Sequence, residues 1–379
     1  MLNPMSGAGY FLYHSIGTFP GKEQALRDEL ARFAAFWSRA DDAQWPTALA
    51  LRQEFIDRWR AVIDAPPGTL TTAENVTAAL YSVIGALPAR HLRGRRVLVA
   101  EDCFPSLHFL LAELAHRFGF TLDTVPLRAG EAYVRDEDFV AHWQDDVGVA
   151  LLTWVTSTAS HRCDAATLIA HGHRMGSMVG VDITQGVGLL PFSATCGADF
   201  VVSTSLKWLC GVPGAGVIYA MPSLLADCQP EFRGWFSQAN PFSWDLTKFR
   251  FADDARRFDH GTPSIVPAVA SLPGLRWLAD AGIDTVRAHN HSLCGRIIDH
   301  ARERGWTIAS PLGSEQRGGS VMIAVPPGSD APAVVAALRS RHLYCDARGS
   351  TLRLSPGVVT SADDVGALCA ALDELLPRR

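Results

Sequence analysis

A chain of 379 residues, 48% apolar and 19% charged, has the balance of a globular protein long enough for two structural lobes. Its formal net charge of -5 offers no basic surface for nucleic acid. Eight scattered cysteines without a C-x-x-C pair read as reduced thiols, no apolar run approaches the ~20 residues of a membrane span, and the start lacks a signal-peptide pattern; together they predict a cytoplasmic protein with no membrane partner.

After an N-terminal segment over 1–20, apolar spacing predicts a helix from Gly21 to Trp37 and another over Leu49–Val62. "TTAENVTAALYSVIGAL" follows, with Asn75 as the cap of a helix running to about Ile84. Short apolar strands then alternate with helices: "RRVLVA", a helix from Ser106, "TLDTVPL", "GVALLTWV", a helix from Ala165, "MVGVDI", "ADFVVST" and "AGVIYA". That order predicts an α/β fold with a mostly parallel sheet covered by helices on both faces. From Pro267 the rhythm changes to a long helical region through Arg304, then "SVMIAVP", a helix over Pro332–Arg339, "LRLSP" and a last helix over Ala362–Leu376. The division expected is a large domain over 21–265 and a smaller C-terminal α+β domain over 266–379.

Ligands of such sheets bind outside the carboxyl ends of the strands. Asn75, Val76 and Thr77 open a helix whose free N–H groups suit a phosphate; Phe104 follows "VLVAEDC"; Asp182 ends "MVGVD", with Gln185 three residues on; Lys207 follows "FVVST". A phosphate cradle, an aromatic plate, a carboxylate and a lysine are the equipment for holding pyridoxal phosphate. The lysine joins the cofactor aldehyde as an imine, and the carboxylate keeps the pyridine nitrogen protonated so that the ring acts as an electron sink. Once displaced by an incoming amine, Lys207 becomes the proton shuttle at the substrate α-carbon. His171 and His173 form an H-x-H without a third ligand, which reads as a solvated helix end rather than a metal site, and Cys345 reads as core rather than as a nucleophile.

Asp182-x-x-Gln185, then Ser205-x-Lys207 with the lysine 25 positions after Asp182, then "GVPGAGVIY", resembles the class V aminotransferase superfamily of fold type I. "FPS" at Phe104–Ser106, "GWF" at Gly234–Phe236 and "CDARGSTLRLSP" at Cys345–Pro356 resemble kynureninase, whereas "KWLCGVPGAGVIY" is nearer to epimerase-like and C–S lyase-like members. The likeness runs from "FLYHSIG" to the last helix. It implies that Val76, Thr77 and Ser205 bind the phosphate, Phe104 stacks on the pyridine, Asp182 pairs with its nitrogen and Gln185 touches its phenolic oxygen. It implies further that Trp235 and Thr262 complete the phosphate site from the second subunit of a homodimer with shared active sites, and that Arg353 grips the α-carboxylate of an amino-acid substrate. Leu107 and Leu206 stand where kynureninases carry an aspartate and a tyrosine. The implied activity is a lyase that cleaves a bond at Cβ through external-aldimine and quinonoid intermediates, at C–S or at C–C, with transfer of the amino group to a keto acid as the alternative.

Overall fold

In the computed structural model, which describes residues 9–376, the first lobe holds α1 (Lys22–Trp37), α2 (Gln44–Val62), β1 (Leu70–Ala73), α3 (Val76–Ile84), β2 (Arg96–Ala100), α4 (Pro105–Phe118) and β3 (Thr121–Val125). It continues through α5 (Asp136–His142), β4 (Val147–Thr153), α6 (Ala165–Arg174), β5 (Met178–Asp182), β6 (Phe200–Thr204), β7 (Gly216–Ala220) and α7 (Pro222–Asp227). There follow α8 (Val266–Ala281), α9 (Ile283–Glu303), β8 (Thr307–Ile308), β9 (Val321–Ala324), α10 (Ala331–Arg339), β10 (Asp346–Arg348), β11 (Thr351–Leu354) and α11 (Ala362–Leu375). Residues 1–8 of the expected N-terminal segment lie outside the described residues.

The large sheet has seven strands in the order β1-β7-β6-β5-β4-β2-β3; β7 pairs antiparallel with both of its neighbours and the remaining pairs are parallel. Its inner strands β2, β4, β5, β6 and β7 are apolar at most positions because both faces are covered, whereas the edge strands β1 (LTTA) and β3 (TLDTV) carry polar residues. Alternate residues feed two cores: Leu98, Ala150, Val181 and Val201 lie on one face, and Val97, Val149, Leu151 and Val202 on the other. The small sheet is antiparallel, in the order β10-β11-β9-β8, and packs with α9, α10 and α11 around a core of its own. The α/β architecture expected from the sequence is therefore the one observed.

One expectation changes in detail. The long helical region through Arg304 is two helices, broken where Gly282 takes the left-handed φ of 78°. Ala268, Leu272, Leu275 and Leu278 of α8 lie in the core of the large sheet, whereas Leu293, Ile297 and Ile298 of α9 lie in that of the small sheet.

Candidate active site

The carboxyl ends of β4, β5 and β6 and the start of α3 enclose a cavity of about 380 Å³. Of the sequence-predicted residues, Val76, Thr77, Phe104, Asp182, Gln185 and Lys207 line it. A larger cavity of about 890 Å³ lies elsewhere, beside His161 and Arg162; it contains no lysine and none of the predicted residues.

Each lining group is set by its element. Asn75 caps α3 by accepting from the Ala78 N–H at 2.9 Å, which leaves the N–H groups of Val76 and Thr77 without intrahelical acceptors at the positive end of the helix. Phe104 precedes Pro105, whose fixed φ suits the first position of α4, and the Phe104 ring stands 5.5 Å from Lys207 Nζ. Asp182 ends β5 with its carboxylate accepting the Thr184 N–H at 3.0 Å. Burial pushes the Asp182 carboxyl up, against the pull of Thr184 and of the Lys207 charge.

Lys207 sits in the turn after β6. Its Nζ makes no ion pair or hydrogen bond among the described residues, and burial pulls its pKa down to about 8, opposed by Asp182 and assisted by Arg353. An amine with those surroundings is partly neutral near physiological pH and therefore nucleophilic. The turn is braced by the segment before α1: the Gly17 N–H donates to the Leu206 carbonyl at 3.0 Å, and a Cβ at Gly17 would lie 1.8 Å from the Lys207 oxygen.

Several predicted residues are placed differently. Ser205 is fully buried and its hydroxyl accepts from Trp59 Nε1 at 2.8 Å, so it points away from the cavity, and its neighbour Thr204 lines the wall instead. Arg353 is buried one layer back, with Nε and Nη2 on the Asp346 carboxylate and Nη1 on the carbonyl of Ser157, which lines the cavity. Trp235 and Thr262 are not brought to the cavity within one chain; Trp235 packs edge-on against Phe236, and Thr262 is exposed ahead of α8. Leu206 lines the cavity, whereas Leu107 is core. Sequence reasoning missed Thr153, Val155 and Ser157 at the exit of β4, and Pro213 and Gly214 ahead of β7, all of which line the cavity. Away from the site, His173 pairs with Asp199 at 3.0 Å, His171 packs edge-on against Trp143, and Cys345 is core, its thiol pushed up to about 12 by burial.

The aminotransferase class-V family model matches residues 47–354. The chain belongs to that family. Its cofactor is pyridoxal 5′-phosphate. Among curated relatives, the kynureninase of Deinococcus radiodurans is 27% identical, covering 96% of this chain and 89% of the relative. An uncharacterized aminotransferase of Bacillus subtilis, YcbU, is 25% identical over 87% of this chain and 85% of its own length. Among solved structures, the cystine C–S lyase C-DES superposes with a TM-score of 0.86 at 19% identity, covering 98% of this chain and 99% of C-DES, a likeness that carries the fold. The family's cofactor fits the residues present: an unpaired amine, a buried carboxylate short of charge compensation and a helix start with free N–H groups face one cavity. Among the described residues, no helix is long and apolar enough to cross a membrane.

Proposed function

We propose that this protein is a pyridoxal-phosphate-dependent lyase that cleaves a bond at Cβ of an α-amino acid, either C–S in a cysteine conjugate or C–C as kynureninases do. The observation that carries the reading is Lys207, a half-buried and unpaired amine at the same cavity as Asp182 and the open start of α3. When bound, the cofactor supplies the electron sink that stabilises a carbanion at the substrate α-carbon. Lys207 would take the proton from that carbon. Asp182 would hold the pyridine nitrogen in its protonated state, relieving its own uncompensated burial, while the first-turn N–H groups of Val76 and Thr77 would hold the phosphate with Thr204 nearby. Phe104 would cover the ring and Gln185 its phenolic oxygen. Arg353 would orient the substrate carboxylate beside Ser157. Leu206 lines the cavity beside the lysine and would disfavour water at the reacting carbon.

The kynureninase relatives support cleavage at Cβ. A second reading, an aminotransferase, is favoured by the curated Bacillus relative of that description. Mass spectrometry of products from a panel of amino acids and cysteine conjugates separates the two. Pyruvate or alanine released without a keto acid is the expected result, and strict dependence on a keto acid would establish the second reading in its place.

The same proposal includes a homodimer in which Trp235 and Thr262 of one subunit reach the other's cavity. Support comes from the exposed apolar side chains near Trp235, with Trp244 at 76% and Leu246 at 98% exposure, more than a monomer comfortably leaves in water. Light scattering of the holoenzyme at twice the 41.0 kDa chain mass is the expected outcome, and a monomer that binds cofactor tightly would rule it out. Eight unpaired cysteines, seven of them buried, support a reducing compartment such as the cytoplasm.

A further inference from the structure

Three N–H groups of Arg353 are engaged within the chain: Nε and Nη2 on Asp346, and Nη1 on Ser157 at 3.1 Å. A guanidinium carries five, so two remain for a ligand. Asp346 takes the Nε–Nη2 edge, which leaves the Nη1–Nη2 end, and the Nη1 partner Ser157 is itself a wall of the cavity. Asp346 thus decides which end of the fork is presented.

Asp346 is held in turn by His14. This histidine is 2% exposed, with Nε2 3.0 Å from Asp346 Oδ1 in a bent contact and Nδ1 2.6 Å from Ser355 Oγ. Burial alone would raise the Asp346 carboxyl, yet His14 and Arg353 together hold it well below the usual carboxylate range, so it is ionised and accepts only. Nε2 must then carry the proton. Burial also lowers the His14 pKa, which keeps the ring neutral, so Nδ1 accepts from the Ser355 hydroxyl, and Ser355 accepts from Ser320 at 2.5 Å. One polarity is consistent along the chain from Ser320 to Arg353, the His14–Asp346 link being a close contact at 3.0 Å and not an aligned hydrogen bond.

The His14 backbone carries a second tie: its carbonyl accepts from Gln185 Nε2 at 3.1 Å. Its segment spans both lobes, with Tyr10 and Leu12 paired to Tyr344 and Ser355, and Gly17 bonded to Leu206. We infer that His14 is a positioning residue for carboxylate recognition: it fixes Asp346, which aims the free end of the Arg353 fork at the cavity in register with Gln185. The inference rests on the reading of Arg353 as the carboxylate-binding residue.

The test titrates holoenzyme, by the change in cofactor absorption, with L-alanine, which has no leaving group at Cβ, and with ethylamine, its decarboxylated counterpart. An amide at H14Q stands near the position of Nε2 and can donate to Asp346, whereas one at H14N stands near Nδ1 and reaches only Ser355. H14A and H14N are expected to lose about tenfold or more in alanine affinity and less than about threefold in ethylamine affinity, with H14Q within about threefold of the wild type on both. S355A, which leaves Asp346 and its contact in place, is expected to lose alanine affinity by an intermediate factor and serves if H14A does not fold. Equal loss in H14N and H14Q, or equal loss of acid and amine, overturns the inference. So does tighter alanine binding in D346N, which would make Asp346 a competitor for Arg353 instead of its orienter. R353K separates this from the parent reading: if it weakens acid and amine alike, the carboxylate role of Arg353 itself fails, and if it discriminates while H14A does not, the positioning role of His14 alone falls.

Discussion

Lys207 and Arg353 are two cations set at and just behind one cavity, and the protein treats them in opposite ways. Lys207 has no carboxylate within ion-pair distance among the described residues, and burial lowers its pKa to about 8. Arg353 is locked on Asp346 along one edge of its fork and on Ser157 at the other side. The difference follows from chemistry. A lysine can shed its proton and become a nucleophile, so leaving it unpaired creates reactivity; an arginine keeps its charge whatever its surroundings, so burial obliges the protein to pair it, and pairing fixes its direction. One group is built to change state and the other to hold still.

The sharpest way to break this comparison is to remove the amine. Lys207→Ala is expected to abolish the borohydride-fixed cofactor adduct at this position and to lower turnover by about 10²–10⁴-fold or more, the usual range for a lost acid–base group. Peptide mapping checks the adduct, and its appearance on another lysine would move the reactive group elsewhere. The next largest effect is on pH. In the cofactor-free protein Lys207 is protonated below about 8 and neutral above it, so its reductive alkylation should rise through that pH and level off, whereas an ordinary lysine keeps rising toward 10.5. Between pH 8 and pH 6 the rate should fall by about fiftyfold, from a half-neutral amine to one about one per cent neutral. Alkylation at Lys207 that tracks the bulk lysines would erase the contrast with Arg353.

A smaller effect is expected at Arg353. In Arg353→Lys the ammonium keeps the charge but cannot grip Asp346 and a ligand as a fork, so binding of α-amino acids should weaken by about ten- to a hundredfold with the cofactor spectrum unchanged. Amines without the carboxylate should be affected far less. Paired titrations check it, and loss shared by acid and amine would mean that the residue supports the fold instead.

The reactive half of this comparison was legible in the sequence and the fixed half only in part. Lys207, Asp182, Gln185 and Phe104 each end a strand or follow one closely, and strand exits are where ligands bind in this kind of sheet, so a local pattern found them. The same rule pointed at the exit of β4, but Thr153, Val155 and Ser157 carry neither charge nor aromatic ring to draw the eye. Arg353 was readable as a candidate, yet not its partner: Asp346 lies seven residues earlier on the neighbouring strand, and His14 reaches it from 332 residues away in sequence. Such long-range pairing leaves no periodicity to read. The packing of α8 was unreadable for a related reason, since it is buried nearly all round and nothing in its sequence tells which core it joins.

The smallest effect concerns adjacent hydroxyls that the sequence could not tell apart. At the end of β6 it is Thr204 that faces the cavity, while Ser205, the next residue, turns back to accept from Trp59 Nε1 at 2.8 Å. Ser205→Ala should therefore act on stability: the buried indole N–H loses its acceptor, which costs about 1–3 kcal/mol, while cofactor affinity stays near wild type. Thr204→Val keeps the shape of its side chain and removes only the oxygen, so it should leave the unfolding midpoint nearly unchanged and weaken cofactor binding by a few-fold, about the net worth of one hydrogen bond. Denaturant unfolding and cofactor titration on the same two proteins separate the cases. The opposite pattern, with Ser205→Ala losing cofactor and Thr204→Val losing stability, would place Ser205 on the phosphate, and the polarity of this strand end would have to be reversed.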